Sequence, residues 1–372
     1  MKKKAAILTL NGYENYGNRL QNYAVQEVLN QLGFDSNTII VDRKKNSSEK
    51  LFNRLKKISS LSEFCTKLYQ KIVIKTNQNV IKKRRYILMK FSERYISETN
   101  YKISKDYIPN HLCTKYEFFI VGSDQVWNPN NLHGTTFYFL TFVKDKEKRI
   151  AYAPSFGIPE LPDEYKERYK KWLSVIPYLS VREESGAKIV KELTGRDVPV
   201  LIDPTLMLTK EKWLSIAKED PYKPDRPYLL TYFLGEVPKE TRKRVKEIAR
   251  ENNLEIVRLA DIRDKKRYIA GPSEFIDYIN SASLVCTDSF HGSVFSILME
   301  TPFIVFDRVG TTMYSRIETL LKKFNLHSRQ ANHIKEDEIF NIDFLHIPPI
   351  LEEERKKALN FLKKALKIDE NN

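Results

Sequence analysis

Cysteine is scarce in this chain, and its few positions exclude two kinds of small-protein scaffold. Only Cys65, Cys113 and Cys286 occur among 372 residues. They are odd in number and far apart, so neither a disulfide framework nor a zinc site with paired ligands fits them. We predict no bound metal, no resident cofactor and a reducing, cytoplasmic location.

Long hydrophobic runs are also missing. No segment approaches the roughly 18 apolar residues that a membrane-spanning helix needs. Residues 1–8 begin with a methionine and three lysines and continue with apolar residues, as a signal peptide does. The apolar stretch ends at Asn11 and Gly12 without a small-residue cleavage pattern, so we interpret it as a first buried strand.

Glycine contributes only 12 residues, and the loop after this first strand lacks the G-x-G-x-x-G fingerprint. Dinucleotide binding is therefore not supported.

Acidic residues are fewer than basic ones. The chain has 63 Lys and Arg but only 48 Asp and Glu, which gives a net charge of +15.

The positive charge is concentrated in one stretch. Residues 43–105 carry 18 Lys and Arg against 4 Glu, which is nearly the whole excess. Such a surface attracts phosphate, whether in lipid headgroups, nucleic acid or a diphosphate-linked substrate. A solvated helical face explains the same run equally well. Both interpretations remain open from the sequence.

Apolar runs of strand length alternate with helical patterns along the chain. This alternation predicts an α/β protein with two doubly wound, Rossmann-like domains facing a cleft. We place the first domain at residues 1–208, with a basic helical insertion at about 43–115, and the second at 209–340. A C-terminal helix at 341–372 is expected to pack back on the first domain.

In doubly wound sheets, ligands bind beyond the carboxyl ends of the strands. The strongest candidate loop there is TDSFHGS, residues 287–293. Ser289, Gly292 and Ser293 at a helix start could hold a phosphate, and a bound phosphate would raise the pKa of His291 toward that of a general acid. Alternatively, Asp288 or Ser289 only caps the helix and His291 is a surface residue.

Two other loops offer acceptor-binding candidates. Asn18 and Arg19 start the first helix, where Asn18 could equally be an ordinary N-cap. Asp124 could orient or deprotonate a sugar hydroxyl. Trp127 could stack on a sugar ring, although a core tryptophan is the more common case.

Two arginines at strand ends are candidates for binding an anion. Arg182 follows one strand and Arg308 another, and guanidinium groups suit a ligand that carries both carboxylate and phosphate. Neighbouring acids, Glu183 and Glu184 beside Arg182 and Asp307 beside Arg308, could pair with them instead.

Taken in order, these segments resemble the polysaccharide pyruvyl transferase family. The resemblance lies in NYGN (15–18), GSDQVWN (122–128), SVRE (180–183), DPT (203–205) and DSFHG (288–292). It implies a fold similar to two-domain, GT-B-like glycosyltransferases. It also implies phosphoenolpyruvate as co-substrate and a glycan or lipid-linked sugar diol as acceptor. In this family His291 would be the acid or phosphate ligand, and Arg182 and Arg308 would bind the donor.

Two other functions were weighed against this one. A glycosyltransferase that uses a sugar nucleotide would share the phosphate site at a helix terminus. A non-catalytic module that binds nucleic acid is disfavoured, because the charge lies in one stretch without a recognised binding motif. A cationic stretch could instead bring the cleft to the anionic inner face of the cell membrane, beside a lipid-linked acceptor.

Overall fold

The computed structural model describes residues 2–42, 73, 75–132, 136–309 and 315–368. About half of the basic stretch, residues 43–72 and 74, lies outside the described residues. Within these ranges, ten strands form one sheet of six and one of four, and every strand pair is parallel.

The first sheet has the strand order β3-β2-β1-β4-β5-β6. Its strands are β1 (Lys4–Leu8), β2 (Asp35–Val41), β3 (Glu98–Ile103), β4 (Phe118–Val121), β5 (Arg149–Ala151) and β6 (Tyr178–Leu179). Alternate residues of β1 enter separate cores on the two faces of the sheet, Ala5 and Ile7 on one and Ala6 and Leu8 on the other. The order is that of a Rossmann domain, and it reverses between β1 and β4.

The second sheet has the order β10-β9-β7-β8. Its strands are β7 (Tyr228–Tyr232), β8 (Glu255–Leu259), β9 (Leu284–Thr287) and β10 (Phe303–Val305). Here the order reverses between β7 and β9. At each reversal, neighbouring loops diverge to opposite faces and leave a crevice at the carboxyl edge of the sheet.

Twelve helices connect and cover the strands in the described ranges. They are α1 (Tyr16–Gln31), α2 (Gln78–Tyr95), α3 (Leu112–Lys115), α4 (Asp163–Leu173), α5 (Glu184–Thr194), α6 (Lys210–Leu214), α7 (Lys239–Glu251), α8 (Lys265–Tyr268), α9 (Pro272–Ser281), α10 (Phe290–Met299), α11 (Ser315–Lys323) and α12 (Ile347–Ala365). None of them is long and apolar enough to span a bilayer.

Helices α1 and α10 are buried nearly all round, unlike an amphipathic surface helix such as α7. They are enclosed because α1 begins at the first crevice and α10 at the second. Their first turns contact each other. Arg84 of α2 also joins the two halves. It donates to Tyr16 Oη at 2.7 Å and to the carbonyl of Tyr268 at 2.6 Å.

Two expectations about the chain need correction. Within the expected helical insertion at 43–115, β3 pairs with β2 and extends the sheet, so this part of the segment completes a strand-helix-strand unit. The side chains of β3 are mostly exposed or half-buried, so its sequence lacks the apolar run that predicts a strand, as is common for edge strands. The apolar run at residues 198–202 predicts a further strand by its sequence, but these residues do not form one, and only Val200 bridges to Val181.

The C-terminal helix α12 contacts the end of the first predicted domain. Arg355 donates from Nε and Nη2 to the carbonyls of Leu206 and Leu208, at 2.7 and 2.8 Å. The domain bounds at 208 and 340 stay predictions, since one apolar core runs through residues of both halves and of α12.

Candidate functional site

The two crevices meet where Gly17 of α1 contacts His291 of α10. A Cβ atom on Gly17 would lie 2.1 Å from His291 Nδ1, far inside van der Waals contact. Only glycine therefore allows the first turn of α1 to approach the imidazole. The loop after β4 and the segment after β6 complete the surroundings of this contact.

His291 is buried in the first turn of α10. Its Nε2 lies 3.8 Å from Asp203 Oδ2, and within the described part of the chain it has no hydrogen-bond partner. Burial lowers the pKa of His291 to about 4, although the Asp203 carboxylate acts in the opposite direction. With this pKa the imidazole is neutral at pH 7.

Asp203 is the acid at the centre of the site. Its Oδ1 accepts from the amide and hydroxyl of Thr205, at 3.0 and 2.6 Å, and its Oδ2 accepts from Ser123 Oγ at 2.6 Å and from Arg182 Nη1. Burial alone would raise the pKa of the Asp203 carboxyl, but Arg182 and these hydrogen bonds hold it well below its usual range. The group is therefore a carboxylate at any physiological pH.

Arg182 follows β6 and is only 3% exposed. Nη1 is occupied by Asp203 and by Ser123 Oγ at 3.0 Å. Nε and Nη2 are buried and have no partner among the described residues. Because a guanidinium group has five N–H donors, Arg182 can anchor to Asp203 and still offer a ligand two nitrogen atoms.

Arg316 is a site residue that the sequence reasoning missed. It lies in the first turn of α11, and its guanidinium carbon is 5.9 Å from the centroid of the Phe290 ring, while that of Arg182 is 4.4 Å away. With the Gln125 amide in the orientation that turns its oxygen toward Arg316, this oxygen accepts from Nη1 at 3.3 Å and from Nη2 at 2.5 Å, and Nε has no partner in the described ranges. Burial and the nearby Arg182 lower the pKa of Arg316 to about 10, so it stays charged at pH 7.

No spacing in the sequence distinguishes Arg316 from the other arginines of the chain. It stands outside the loops and strand ends that offer candidates in the sequence, and only tertiary packing brings it to Phe290. Together, Arg182, Arg316 and His291 form what we call the cationic cluster, drawn from both halves of the molecule.

Asp124 lies beside this cluster in a strained conformation. Its φ of +98° is in a region that non-glycine residues rarely adopt. Oδ2 accepts from Asn18 Nδ2 at 2.8 Å and Oδ1 from the amide of Gln125 at 2.7 Å. Strain of this kind is often retained where it orients a functional group, which makes Asp124 a candidate for contact with a substrate.

Two predicted acceptor contacts are wrong, because the side chains are enclosed. Trp127 is fully buried, stacks on Phe139 and donates from Nε1 to the carbonyl of Tyr138 at 2.8 Å. Arg19 is also fully buried, and all three of its side-chain nitrogens are bonded, to Asn18, to Glu98 and to the Leu10 carbonyl among others. Asn18 itself supports Asp124.

The start of α10 is held together by its own side chains. Ser289 is the N-cap and accepts from the Gly292 amide at 3.3 Å, and Ser293 Oγ donates to the Ser289 carbonyl at 3.2 Å. A Cβ on Gly292 would lie 2.5 Å from Thr287 Oγ1, so this glycine is needed for packing. The Ser289 hydroxyl therefore caps the helix, as the alternative interpretation of this loop expects. Direct contacts of Ser289, Gly292 and Ser293 with phosphoenolpyruvate stay predictions.

Arg308 lies at the edge of the cationic cluster. Nε donates to Asp288 Oδ2 at 3.0 Å and Nη2 to the Asp288 carbonyl at 2.9 Å. Asp288 in turn accepts from the amides of Leu234 and Gly235, across the reversal of the second sheet. Donor binding by Arg308 stays a prediction, since these contacts occupy most of its donors.

The sequence profile of the polysaccharide pyruvyl transferases matches residues 15–308. The chain belongs to this family. Family membership indicates a transferase, and the matched segment contains every residue of the site except Arg316. No curated protein sequence matches the chain significantly.

Solved structures with the same architecture are distant in sequence. UDP-N-acetylglucosamine 2-epimerase from Rickettsia bellii superposes on 99% of this chain and 98% of its own, with a TM-score of 0.51 at 10% identity. The superposition with the epimerase from Neisseria meningitidis bound to UDP-GlcNAc covers 97% of this chain and 100% of the epimerase, with a TM-score of 0.46 at 12% identity. The superposition with the glycosyltransferase SnogD from Streptomyces nogalater covers 98% of this chain and 100% of SnogD, with a TM-score of 0.40 at 10% identity. The predicted fold class, two Rossmann-like halves in a GT-B-like arrangement, is confirmed for this family member.

Proposed function

We propose that this family member transfers the enolpyruvyl group of phosphoenolpyruvate to a sugar diol and closes it to a pyruvate ketal. The observation that supports this most is a set of buried N–H and ring-nitrogen groups that have no partner among the described residues: Arg182 Nε and Nη2, Arg316 Nε and His291 Nε2. Leaving such groups unpaired costs about 1–3 kcal/mol each. A small ligand with several anionic oxygens would satisfy them at once, and phosphoenolpyruvate carries a carboxylate and a phosphate on the same carbon, C2.

The reaction needs one proton at carbon and two sugar hydroxyl groups. The donor's methylene carbon gains a proton and becomes a methyl group, while the first hydroxyl adds to C2 and loses its own proton. The C2–O bond to phosphate then breaks, and the second hydroxyl attacks C2 and loses its proton to close the ketal. Inorganic phosphate leaves with the C–O bonding electrons and takes up one of the two hydroxyl protons, while the other replaces the proton given to the methylene carbon, so atoms and charges balance.

His291 is the proposed proton donor. It is neutral in the ligand-free protein, as its pKa of about 4 requires. A phosphate dianion within contact distance of Nε2 would favour the imidazolium form, so that binding of the donor itself charges the acid. Asp203 holds Arg182 in place and faces the same nitrogen, which also stabilises a protonated ring.

Arg182 and Arg316 bind the donor's anionic groups in this proposal, and Asp124 positions an acceptor hydroxyl. The Asp124 carboxylate lies close enough to act toward raising the pKa of both His291 and Arg316, which favours their protonated forms. Holding the diol, the donor and the acid together in a site shielded from water supplies much of the rate enhancement.

The acceptor is a glycan or its lipid-linked precursor, and the reaction takes place in the cytoplasm, where phosphoenolpyruvate is made. We also propose peripheral contact with anionic lipid through the basic helix α2, on which Lys82, Lys83 and Lys90 are exposed. Cosedimentation with vesicles should then depend on anionic lipid and be lost at high salt. Equal binding to neutral vesicles would contradict this.

The reaction itself is tested with phosphoenolpyruvate labelled with ¹³C at C2 and a panel of glycans with adjacent diols. Equal amounts of phosphate and of a quaternary ketal carbon should appear. His291→Gln should lower the rate by about 100-fold or more while the fold is kept, and the exposed His333 serves as the matched control in His333→Gln. Wild-type rates in His291→Gln, or glycosyl transfer from a UDP-sugar, would contradict the proposal.

A further inference from the structure

A second cavity opens on the other side of the loop between β1 and α1. Its volume is about 370 Å³, within the range of small-ligand sites. It lies beyond the carboxyl ends of β1 and β2 and beside the first residues of β3, between Asn11 and Tyr13 on one wall and Glu98 and Thr99 on the other. Arg85 of α2 is part of its rim. None of the residues assigned to the donor lines it.

The polar groups of this cavity include both donors and acceptors. The carboxamide of Asn11 is shielded from solvent, and neither its Nδ2 nor its Oδ1 has a partner in the described ranges. Glu98 accepts from Tyr13 Oη at 3.0 Å and from Arg19 Nη1 at 2.9 Å. A side-chain amide that is missing both a donor and an acceptor fits a ligand whose groups do both, as hydroxyl groups do.

The charges of the lining argue against an anionic ligand. Two cations, Arg85 and Lys102, accompany three carboxylates, which belong to Glu14, Asp42 and Glu98. A phosphate or carboxylate would be repelled by the acids, in contrast to its attraction to the cationic cluster. The apolar floor formed by Ile40 and Val41 would contact the carbon face of a ring.

A buried network connects the cavity to the reaction site. Glu98 binds Arg19, whose Nε and Nη2 donate to Asn18 Oδ1 at 3.2 and 2.7 Å. Asn18 donates in turn to Asp124. Because Arg19 and Asn18 stand between the two sites, a ring in the cavity cannot itself present its hydroxyls to the donor. It can only be a neighbour of the ring that does.

We propose that this cavity binds a neutral hexose of the acceptor glycan, next to the sugar that receives the pyruvate. The predicted effect of this cavity on turnover rests on the proposed function. The binding of a hexose in the cavity does not. It means that the enzyme recognises a segment of the chain rather than one sugar. Acceptors that lack the neighbouring hexose lose the contacts with Asn11 and Glu98.

The test compares two acceptors that carry the same diol, a single sugar and its oligosaccharide. Asn11→Ala should raise the KM for the oligosaccharide about tenfold, because it removes hydrogen bonds to hydroxyl groups. The KM for phosphoenolpyruvate and the turnover of the single sugar should not change. Tyr13→Phe is a second, smaller change that should act in the same direction. Equal effects on both acceptors would overturn the assignment.

Binding is measured separately by saturation-transfer NMR with neutral galactose, glucose and mannose oligosaccharides, without any donor. The wild-type full-length chain should bind at least one of them, and Asn11→Ala should lose that signal while it unfolds at the same temperature. Oligosaccharide binding of this kind without ketal formation would support the cavity and refute the donor assignment. Ketal formation with no binding of a neutral oligosaccharide would refute the cavity.

Discussion

Four side chains in the cleft are almost completely withdrawn from water although each is charged or can become so. Arg182, Asp203, His291 and Arg316 are between 1 and 8% exposed. Transfer of such groups from water is unfavourable unless every polar atom is bonded. Asp203 meets that condition, whereas each of the three basic groups keeps at least one nitrogen without a partner in the part of the chain that the structure describes. This imbalance supports our proposal that Asp203 anchors Arg182 and that the cationic cluster binds the ligand.

Arg316→Met should separate stability from binding. Removal of a buried, incompletely paired charge is expected to leave the free energy of unfolding unchanged or to raise it by about 1 kcal/mol. Binding of phosphoenolpyruvate should weaken by about 100-fold, because a charged contact is lost. Chemical denaturation and calorimetry measure the two effects. Unfolding that becomes easier by several kcal/mol, with binding intact, would identify Arg316 as a purely structural residue.

The ionisation of His291 should make the stability of the protein depend on pH. An unfolded chain holds this imidazole at its ordinary pKa of about 6.5, whereas the folded protein holds it at about 4. Between these values the unfolded state binds more protons, so the free energy of unfolding falls as the pH decreases from about 6.5 to about 4. The expected loss is on the order of 3 kcal/mol.

Denaturation of wild type and of His291→Gln at intervals across this range measures that contribution. The variant should show a shallower decline than wild type, and His333→Gln should decline as wild type does. Parallel curves for all three proteins would mean that His291 titrates normally in the folded state.

Among the elements, the first turns of α1 and α10 determine the geometry of the cleft. The sequence identified both turns, because polar loops after apolar strands mark the ligand edge of a parallel sheet. The helical pattern by itself extends only over residues 293–300, whereas α10 begins at Phe290, because the buried run Phe290–Met299 has no polar face to mark the first turn. The sequence also could not reveal Arg316 or the edge strand β3, whose positions depend on long-range packing.

Gly17→Ala should test the contact between these two helices. The added methyl group would lie 2.1 Å from His291 Nδ1, so the ring or the helix must move. We expect a destabilisation of about 1–3 kcal/mol and a fall in turnover of at least about tenfold. Gly122→Ala is the matched control, because its new methyl group would meet nothing closer than 3.5 Å. Equal turnover in both variants would show that the α1 and α10 contact is not critical.

For the whole molecule, the cleft depends on how the two halves are held together. Arg84 of α2 donates to Tyr16 in the first half and to the carbonyl of Tyr268 in the second, and its guanidinium lies over both rings. The sequence predicted two facing Rossmann-like units, which is now confirmed, but a basic run gives no sign that one of its arginines is buried in such a contact. Among Lys82, Lys83, Arg84 and Arg85, only Arg84 is buried.

Arg84→Met should therefore lower the melting temperature, and Lys83→Met should leave it unchanged. Loss of a buried group that satisfies several carbonyl and hydroxyl partners costs about 3–5 kcal/mol. Saturating phosphoenolpyruvate should restore part of the lost stability, since its proposed ligands come from both halves. An unchanged melting temperature in Arg84→Met would contradict this account of how the halves are fixed.

The cationic cluster as donor site is tested most directly by calorimetric titration of the purified chain with phosphoenolpyruvate. Wild type and Arg226→Met, which changes an exposed arginine remote from the cleft, should bind one molecule per chain with equal affinity. Arg182→Met and Arg316→Met should each bind about 100-fold more weakly or not at all. Undiminished binding in these two variants, or binding of a UDP-sugar in preference to phosphoenolpyruvate, would contradict the assignment.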